Sequence, residues 1–403
     1  MTSPPSPRRA PLALGIAAAT LAIQNGIVMA FAVLYLPLIR EFGGSRAEVA
    51  VVQSAVFLVG GFSSPLVGWA FDRLGPRRLL QGGALLGASA FAAASRVDSL
   101  PALIVLYGVV GGLALVCLGS QVNMLLAALW YPTARGRAIA VADLGTGFGA
   151  FCFIPLAQVL VSAIGWRGTL LVWAGLLLAV VIPLNAFQRL PPAEVIVPRA
   201  AAGGVTAPAA WTVRAALASA PFWWLAAMRF FAACAFPMVN THVVAYAIGR
   251  GVAPAAAATA LGTVALVSLG GRLTTGYLCD RIGRAATLSV MYVSCALGIG
   301  CLTMLALTGS PTWLAVYVAF YGMSQGSSGI VASARAADVF AGPAFGAIWG
   351  LLGLATGPGE ALGAWLGGRI FDATGSYLPA FGVAVGALII GVVCVWRVRT
   401  YPR

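Results

Sequence analysis

Apolar residues in this chain come in long unbroken runs, and polar residues punctuate them. Twelve runs can be traced: Pro11–Ile39, Val49–Phe71, Leu79–Ala94, Leu100–Trp130, Ala138–Ile164, Thr169–Phe187, Phe222–Ile248, Ala255–Cys279, Ala286–Leu307, Trp313–Ala334, Phe345–Gly367 and Leu378–Trp396. Most exceed the ~20 residues that a helix needs to cross a bilayer, while Leu79–Ala94 and Leu378–Trp396 draw on flanking residues to do so. Strands of a membrane barrel alternate apolar and polar positions over about 10 residues, and these runs do not. The pattern predicts an all-α membrane protein of twelve transmembrane helices. The longest polar stretch, Gln188 to Pro221, carries Pro191, Pro192, Pro198, Pro208 and Gly203-Gly204, and it falls between the sixth and seventh runs. It reads as a linker over 189–220, between an N-terminal six-helix half (1–188) and a C-terminal one (221–403).

Composition agrees: 61% of residues are hydrophobic and 8% charged, against roughly 25% charged in a soluble domain. The net charge of +14 raises the question of nucleic acid. Every cation is an arginine, however, and their placement follows the spans. Sixteen fall on one side of the predicted topology, six (Arg40, Arg46, Arg96, Arg167, Arg250, Arg369) on the other, and Arg229 and Arg272 lie inside spans. That asymmetry puts both termini in the cytoplasm. Arg8-Arg9 is not read as an export signal, because the run behind it is too long and lacks a cleavage site. The expected setting is a bacterial inner membrane, with the lipid bilayer and no nucleic acid as partner. The seven cysteines are scattered through the apolar runs, which argues for packing and against a disulfide framework or metal site.

The halves repeat each other. Gly68-Trp-Ala-Phe-Asp72-Arg73-Leu-Gly75 recurs 208 residues later as Gly276-Tyr-Leu-Cys-Asp280-Arg281-Ile-Gly283, each copy ending the second span of its half. Two pseudo-symmetric six-helix halves of this kind bind cargo at mid-membrane between them. GWAFDRLGPRR, Gly68 to Arg78, resembles the signature loop between spans 2 and 3 of the major facilitator superfamily. EFGGSRAEVA (Glu41–Ala50), ARGRAIAVADLGTGFG (Ala134–Gly149), GWRGTLL (Gly165–Leu171), HVVAYAIGRGV (His242–Val252), GGRLTTGYLCDRIGR and FDATGSYLPAFG (Phe371–Gly382) are similar to its bacterial monocarboxylate and oxalate–formate branch. The resemblance covers nearly the whole chain and implies the major facilitator fold.

In the signature loop, Asp72 is placed to meet a helix N-terminus or an arginine, and Arg73, Arg77 and Arg78 to face headgroups. With Gly68 and the second copy's Asp280, Arg281 and Arg284, they form a candidate latch for one closed state. For Arg77 and Arg78, a plain topology anchor is an equal reading.

A charge at the centre of a span costs roughly 2.5–3.5 kcal/mol, so it faces a cavity or a partner. Asp143, Arg229, Arg272 and Glu360 qualify. Arg272, eight residues before Asp280, lies ~12 Å inside that boundary, and its forked guanidinium suits a carboxylate. The resemblance implies the same role, since related carriers bind the substrate carboxylate with an arginine at this place in span 8. A structural ion pair and a snorkelling residue are the alternatives. Glu360, deep in span 11, is the candidate proton carrier, with a fixed pair to Arg229 or Arg272 as the other reading. Arg229 is either a second anion site or that partner. Asp143 is expected to bond an arginine of the adjoining loop.

Gln24, Asn25, Ser120, Gln121, Asn123, Tyr317, Tyr321 and Gln325 belong to spans that line the cavity, by resemblance; Asn25, Asn123 and Tyr321 are preferred as cargo contacts, against interhelical hydrogen bonding. His242 is read as an interface residue before a proton sensor. Gly145, Gly147 and Gly149, and Gly353, Gly357 and Gly359, have the small-residue spacing of close helix approach. Three departures from the relatives stand out. The chain has no lysine to match the one that animal carriers place in span 1, and Ser268 stands where they carry an aspartate. An acid also occupies span 11 where oxalate–formate exchangers have a second cation. No phosphate loop, catalytic carboxylate pair or metal-ligand cluster appears, so neither enzymatic chemistry nor a cofactor is expected. The expected function is secondary transport of a small organic anion, a monocarboxylate, by proton symport or exchange, in a monomer. A proton-coupled exporter of drug-like or cationic compounds and a transport-inactive sensor are the alternatives, the second weakened by the absence of an appended signalling domain.

Overall fold

A computed structural model describes residues 9–132, 134–191, 211–342 and 344–398. Arg8, Arg199, Arg399 and Arg403 of the charge count, and positions 192–210 of the expected linker, lie outside the described residues. Every regular element within them is a helix. Helix α1 is Arg9–Phe42, and α2 and α3 are the two arms of Arg46–Ala94, which folds back at Gly75. Leu100–Trp130 is α4, and α5 and α6 are the arms of Arg135–Asn185, which turns at Gly165. Then follow α7 (Ala220–Gly249), α8 (Pro254–Arg281), α9 (Arg284–Thr308), α10 (Thr312–Ser324 and Ser327–Phe340), α11 (Phe345–Gly353 and Thr356–Thr374) and α12 (Leu378–Arg397). These are the twelve expected helices, in two six-helix halves.

The repeated sequence motif is also a repeated backbone. Gly75 (φ 75, ψ 164) joins α2 to α3 and Gly283 (φ 84, ψ 162) stands between α8 and α9, so each half reverses through one residue in a conformation that only glycine adopts without strain. The arginine before each turn lies over an aromatic ring one helical turn back, Arg73 over Trp69 at 5.0 Å and Arg281 over Tyr277 at 5.2 Å.

Burial is distributed as lipid requires. Leu273 is 74% exposed and Leu307 72%, on the outside of the bundle, whereas Tyr35, Tyr317, Tyr321 and Trp173 are fully buried. With lipid outside, close helix approach replaces the hydrophobic effect as the source of cohesion. Gly145 and Gly149 of α5 lie against the Ala18 and Ala22 carbonyls of α1, Gly147 against Leu269 and Ala265 of α8, Gly357 against Gly61 of α2, and Gly359 against Phe230 of α7. Gly353 faces open space and plays no part in this packing. Contacts between the halves therefore run along α5–α8 and α2–α11.

The two faces of the bundle differ. At the face opposite to the start of α1, the halves are tied together. Both Asp372 carboxylate oxygens accept backbone N–H groups at the start of α2, from Arg46 (2.9 Å) and Ala47 (2.8 Å). The Arg46 guanidinium donates to Tyr377 Oη and lies 3.8 Å above the Phe371 ring centroid. Tyr35 Oη donates to the Arg46 carbonyl at 2.6 Å. His242 is buried between Tyr35 and Tyr377, its Nε2 2.8 Å from the Ala364 carbonyl oxygen, the interface position expected for it. At the face where α1 begins, called the terminal face below, a cavity of about 990 Å³ separates α1, α2 and α4 from α7 and α11, with Val213 and Ala347 in its wall.

Candidate functional site

The large cavity narrows into a chamber of about 240 Å³ at mid-depth, and the two share Val28, Met29, Phe57, Arg229, Thr356 and Glu360 in their walls. Four helices lose their regular hydrogen bonding inside the membrane: α4 at Leu118–Gly119, α7 at Thr241–His242, α10 at Gln325–Gly326 and α11 at Leu354–Ala355. Irregular backbone at this depth is tolerated where it is buried in protein or lines a cavity. The α10 break borders the chamber directly. Gln325 is extended (ψ 125) and Gly326 left-handed (φ 92), and a Cβ on Gly326 would stand 2.8 Å from Arg272 Nε. The missing side chain is what lets the guanidinium lie against the unwound turn.

Arg272 is 18 residues into α8, about 27 Å from its start, on the chamber wall. Its Nη1 donates to Asp143 Oδ2 and approaches Thr146 Oγ1 at 3.4 Å. Thr146 Oγ1 donates to the Asp143 carbonyl at 2.7 Å, and Asn25 Nδ2 to the Thr146 carbonyl at 2.8 Å. Asp143 thus pairs across the halves, from α5 to α8, and not with an arginine of its own loop as expected: it lies far enough along α5 to meet the α8 charge directly. The opposite edge of the fork is uncommitted. Arg272 Nε is buried without a partner, and Nη2 makes no hydrogen bond among the described residues.

Arg229 lines both spaces, its Nε donating to the Leu352 carbonyl at the α11 break (3.1 Å) and its guanidinium 4.5 Å over the Trp349 ring. Glu360 lines both as well, and no ion pair or hydrogen bond of the described residues includes its carboxylate. Neither fixed pair considered for it forms here, since Asp143 holds Arg272 and the Leu352 carbonyl and Trp349 face hold Arg229.

Other expected residues separate. Asn25, Gln24, Ser120 and Gln121 line the large cavity, with Gln121 donating to Ser64 Oγ at 2.6 Å. Asn123 is fully buried and away from both spaces, its amide donating to the Leu118 (2.8 Å) and Gly119 (3.1 Å) carbonyls freed by the α4 break. Tyr321 is also fully buried behind the wall and donates to Oδ1 of Asn240, a chamber residue, at 3.0 Å. Asn240 and Gln53, both chamber residues, were missed by sequence reasoning. Gln53 is the one amide in the run Val49–Phe71, and Asn240 the one amide in Phe222–Ile248, which is a usable signal.

Of the candidate latch, Gly68 faces open space, and Asp72, Arg77 and Arg78 form no ion pair among the described residues. The second copy is engaged, Arg284 bonding Asp280 (3.0 Å) and lying 3.4 Å from Asp338 of α10.

Residues 14–340 match the Major Facilitator Superfamily. The chain belongs to that superfamily. As a member it is a multi-pass membrane transporter. It is 28% identical over 378 residues to monocarboxylate transporter 13 of Rattus norvegicus, covering 92% of this chain and 84% of that one. It is 25% identical to the oxalate:formate antiporter of Oxalobacter formigenes, over 81% of this chain and 77% of the other. Among solved structures, a bacterial homologue of the human lysosomal transporter Spinster, inward-facing and occupied, superposes with a TM-score of 0.75 at 15% identity, covering 98% of both chains.

Proposed function

We propose that this superfamily member carries a small organic anion, a monocarboxylate, across a bacterial inner membrane by alternating access, as a single chain with both termini in the cytoplasm. The observation that carries the reading is Arg272: a permanent charge at mid-depth on the chamber wall, with one nitrogen on Asp143 and the other two without a partner among the described residues. A guanidinium held in this way still has donors to offer a carboxylate, the anion its fork matches best. The names of two relatives, a monocarboxylate transporter and an oxalate:formate antiporter, agree with it. Arg229 supplies a second cation on the path from the terminal face, and Asn25 a polar contact. Glu360, unpaired on the same wall, is the proton carrier. Arg272, Arg229, Asp143 and Glu360 sum to zero formal charge, so entry of a monoanion is balanced when Glu360 takes one proton. In the outward-open state, Asp72 closes the terminal face against the second half.

The test is uptake of labelled 2-hydroxypropanoate, 2-oxopropanoate, formate and oxalate into proteoliposomes, with and without an inward proton gradient, for the native chain and Arg272→Ala. Saturable flux of a monocarboxylate that the variant loses is expected. Absence of flux for every anion, together with efflux of a lipophilic cation, would replace this reading by that of a cation exporter.

A further inference from the structure

His242 is the only histidine in the chain, and neither the chamber nor the large cavity includes it. It stands at the α7 break, wholly buried at the closed face. Its Nε2 lies 2.8 Å from the Ala364 carbonyl oxygen. A carbonyl oxygen only accepts, so Nε2 carries the ring proton and Nδ1 is a bare acceptor. Nδ1 is itself buried without a hydrogen-bond partner.

The groups packed around the ring are already committed. The Tyr35 ring of α1 meets the imidazole edge-on at 5.0 Å, and the Tyr377 ring ahead of α12 lies at 5.1 Å. Both hydroxyls engage Arg46, Tyr35 donating to its carbonyl and Tyr377 accepting from its guanidinium. Arg46 and Asp372 are the charges that the ring feels, and both Asp372 oxygens accept backbone N–H groups of Arg46 and Ala47. Tyr246, one turn along α7, donates to the Leu302 carbonyl. Glu360, one turn before Ala364 on α11, lines the chamber. Gly367 of α11 closes over the ring, where a Cβ would stand 2.5 Å from His242 Cδ2. The closed face thus accommodates a neutral ring, whereas an imidazolium would bring a buried N–H without an acceptor and a second cation in the layer of Arg46.

We propose that His242 is a proton-operated catch of the closed face: the face shuts over the neutral ring, and a proton taken up at Nδ1 while the face is open keeps it from shutting. This proton site is separate from Glu360 and independent of the anion carried. Acid at that face favours the open state. An imidazole that water reaches titrates near 6.5, so lowering the pH from about 7.5 to about 5.5 should raise the ratio of open to closed molecules about tenfold.

Two measurements test this. Ala47 is 6% exposed where α2 meets Gly368, so a cysteine placed there reacts with a membrane-impermeant maleimide as the face opens, and mass spectrometry quantifies the adduct at that position. Dividing its rate by the rate in the same protein carrying His242→Gln cancels the thiol's own pH dependence. That ratio should rise about tenfold over the same pH interval, and a flat ratio in two folded proteins would overturn the proposal. The second measurement uses the native histidine, so it decides even where His242→Gln does not fold. In protein without a polyhistidine tag, ¹⁵N-histidine labelling gives one imidazole to read by NMR, and at about pH 7.5 it should be neutral with its proton on Nε2. A proton on Nδ1 instead, or a doubly protonated ring while Ala47→Cys stays unreactive, would overturn the proposal equally.

Discussion

If the cargo carboxylate occupies the free edge of Arg272, it shares one guanidinium with Asp143, and the two anions repel each other. On adjacent edges of a guanidinium, carboxylate charges lie about 6 Å apart. The side chains of Arg272 and Asp143 are 27% and 24% exposed, neither dry nor open to bulk water. An effective dielectric of about 20 is therefore appropriate, and the repulsion is about 3 kcal/mol. Asp143→Asn removes it while keeping an amide oxygen that can still accept from Nη1. At 1.4 kcal/mol per tenfold, binding should tighten by up to roughly a hundredfold. Turnover should fall in parallel, because a site that holds cargo more tightly releases it more slowly. The assay is equilibrium binding of the labelled acid to detergent-purified protein, alongside initial-rate uptake in proteoliposomes, with thermal unfolding to verify that the variant is folded. Unchanged or weaker binding in a folded Asp143→Asn variant would refute the placement of cargo on Arg272.

Three further outcomes are expected. Glu360→Gln should abolish accumulation driven by a pH gradient yet permit anion exchange; accumulation surviving in the variant, measured by uptake at imposed gradients, would exclude Glu360 as the proton carrier. Asp72→Asn should keep its expression level but cut transport at least several-fold, since it loses the charge assigned to closing the terminal face; native uptake rates would reject that role. Asp372→Asn should weaken two charge-assisted hydrogen bonds that join the halves at the closed face, each worth about 1.5–3 kcal/mol, and so shift the population toward opening there. Labelling of a cysteine placed at Ser376 by a membrane-impermeant maleimide should then accelerate about tenfold or more, and an unchanged rate would show that the tie does not hold this state.

Most of the architecture was legible because lipid imposes a simple rule on each span, and because the repeat Gly68–Gly75 and Gly276–Gly283 marks the same turn twice. The position of Arg272 was legible for a similar reason, since counting turns from Asp280 gives depth. Its partner was not. Asp143 stands 129 positions away in sequence, and no local spacing connects α5 to α8; tertiary packing brings them together, Gly147 against Ala265 and Leu269 and Gly262 against Phe151. Asn123 misled for a different reason. A polar residue inside an apolar run reads as a cavity contact, yet it serves equally to cap carbonyls where its own helix breaks, and the break at Gly119 is a tertiary feature. The tie of Asp372 to the start of α2 was likewise hidden, because each partner looks like an ordinary loop residue until the halves meet.

The repeat sharpens what Arg272 is for. Counting back 208 residues leads to Ser64, and Ser64 also lines the large cavity, where its hydroxyl accepts from Gln121. The scaffold therefore presents this position to the interior in both halves, once with a neutral hydroxyl and once with a permanent charge. A charge needed to hold the fold has no reason to be confined to one half, for the turn glycines Gly75 and Gly283 and the stacked Arg73 and Arg281 occur in both. A charge needed by a single carboxylate is needed once. Its acidic partner then has to be drawn from the other half, so that the two halves meet at the site through one ion pair, and any cargo that competes for that arginine acts directly on the contact between them.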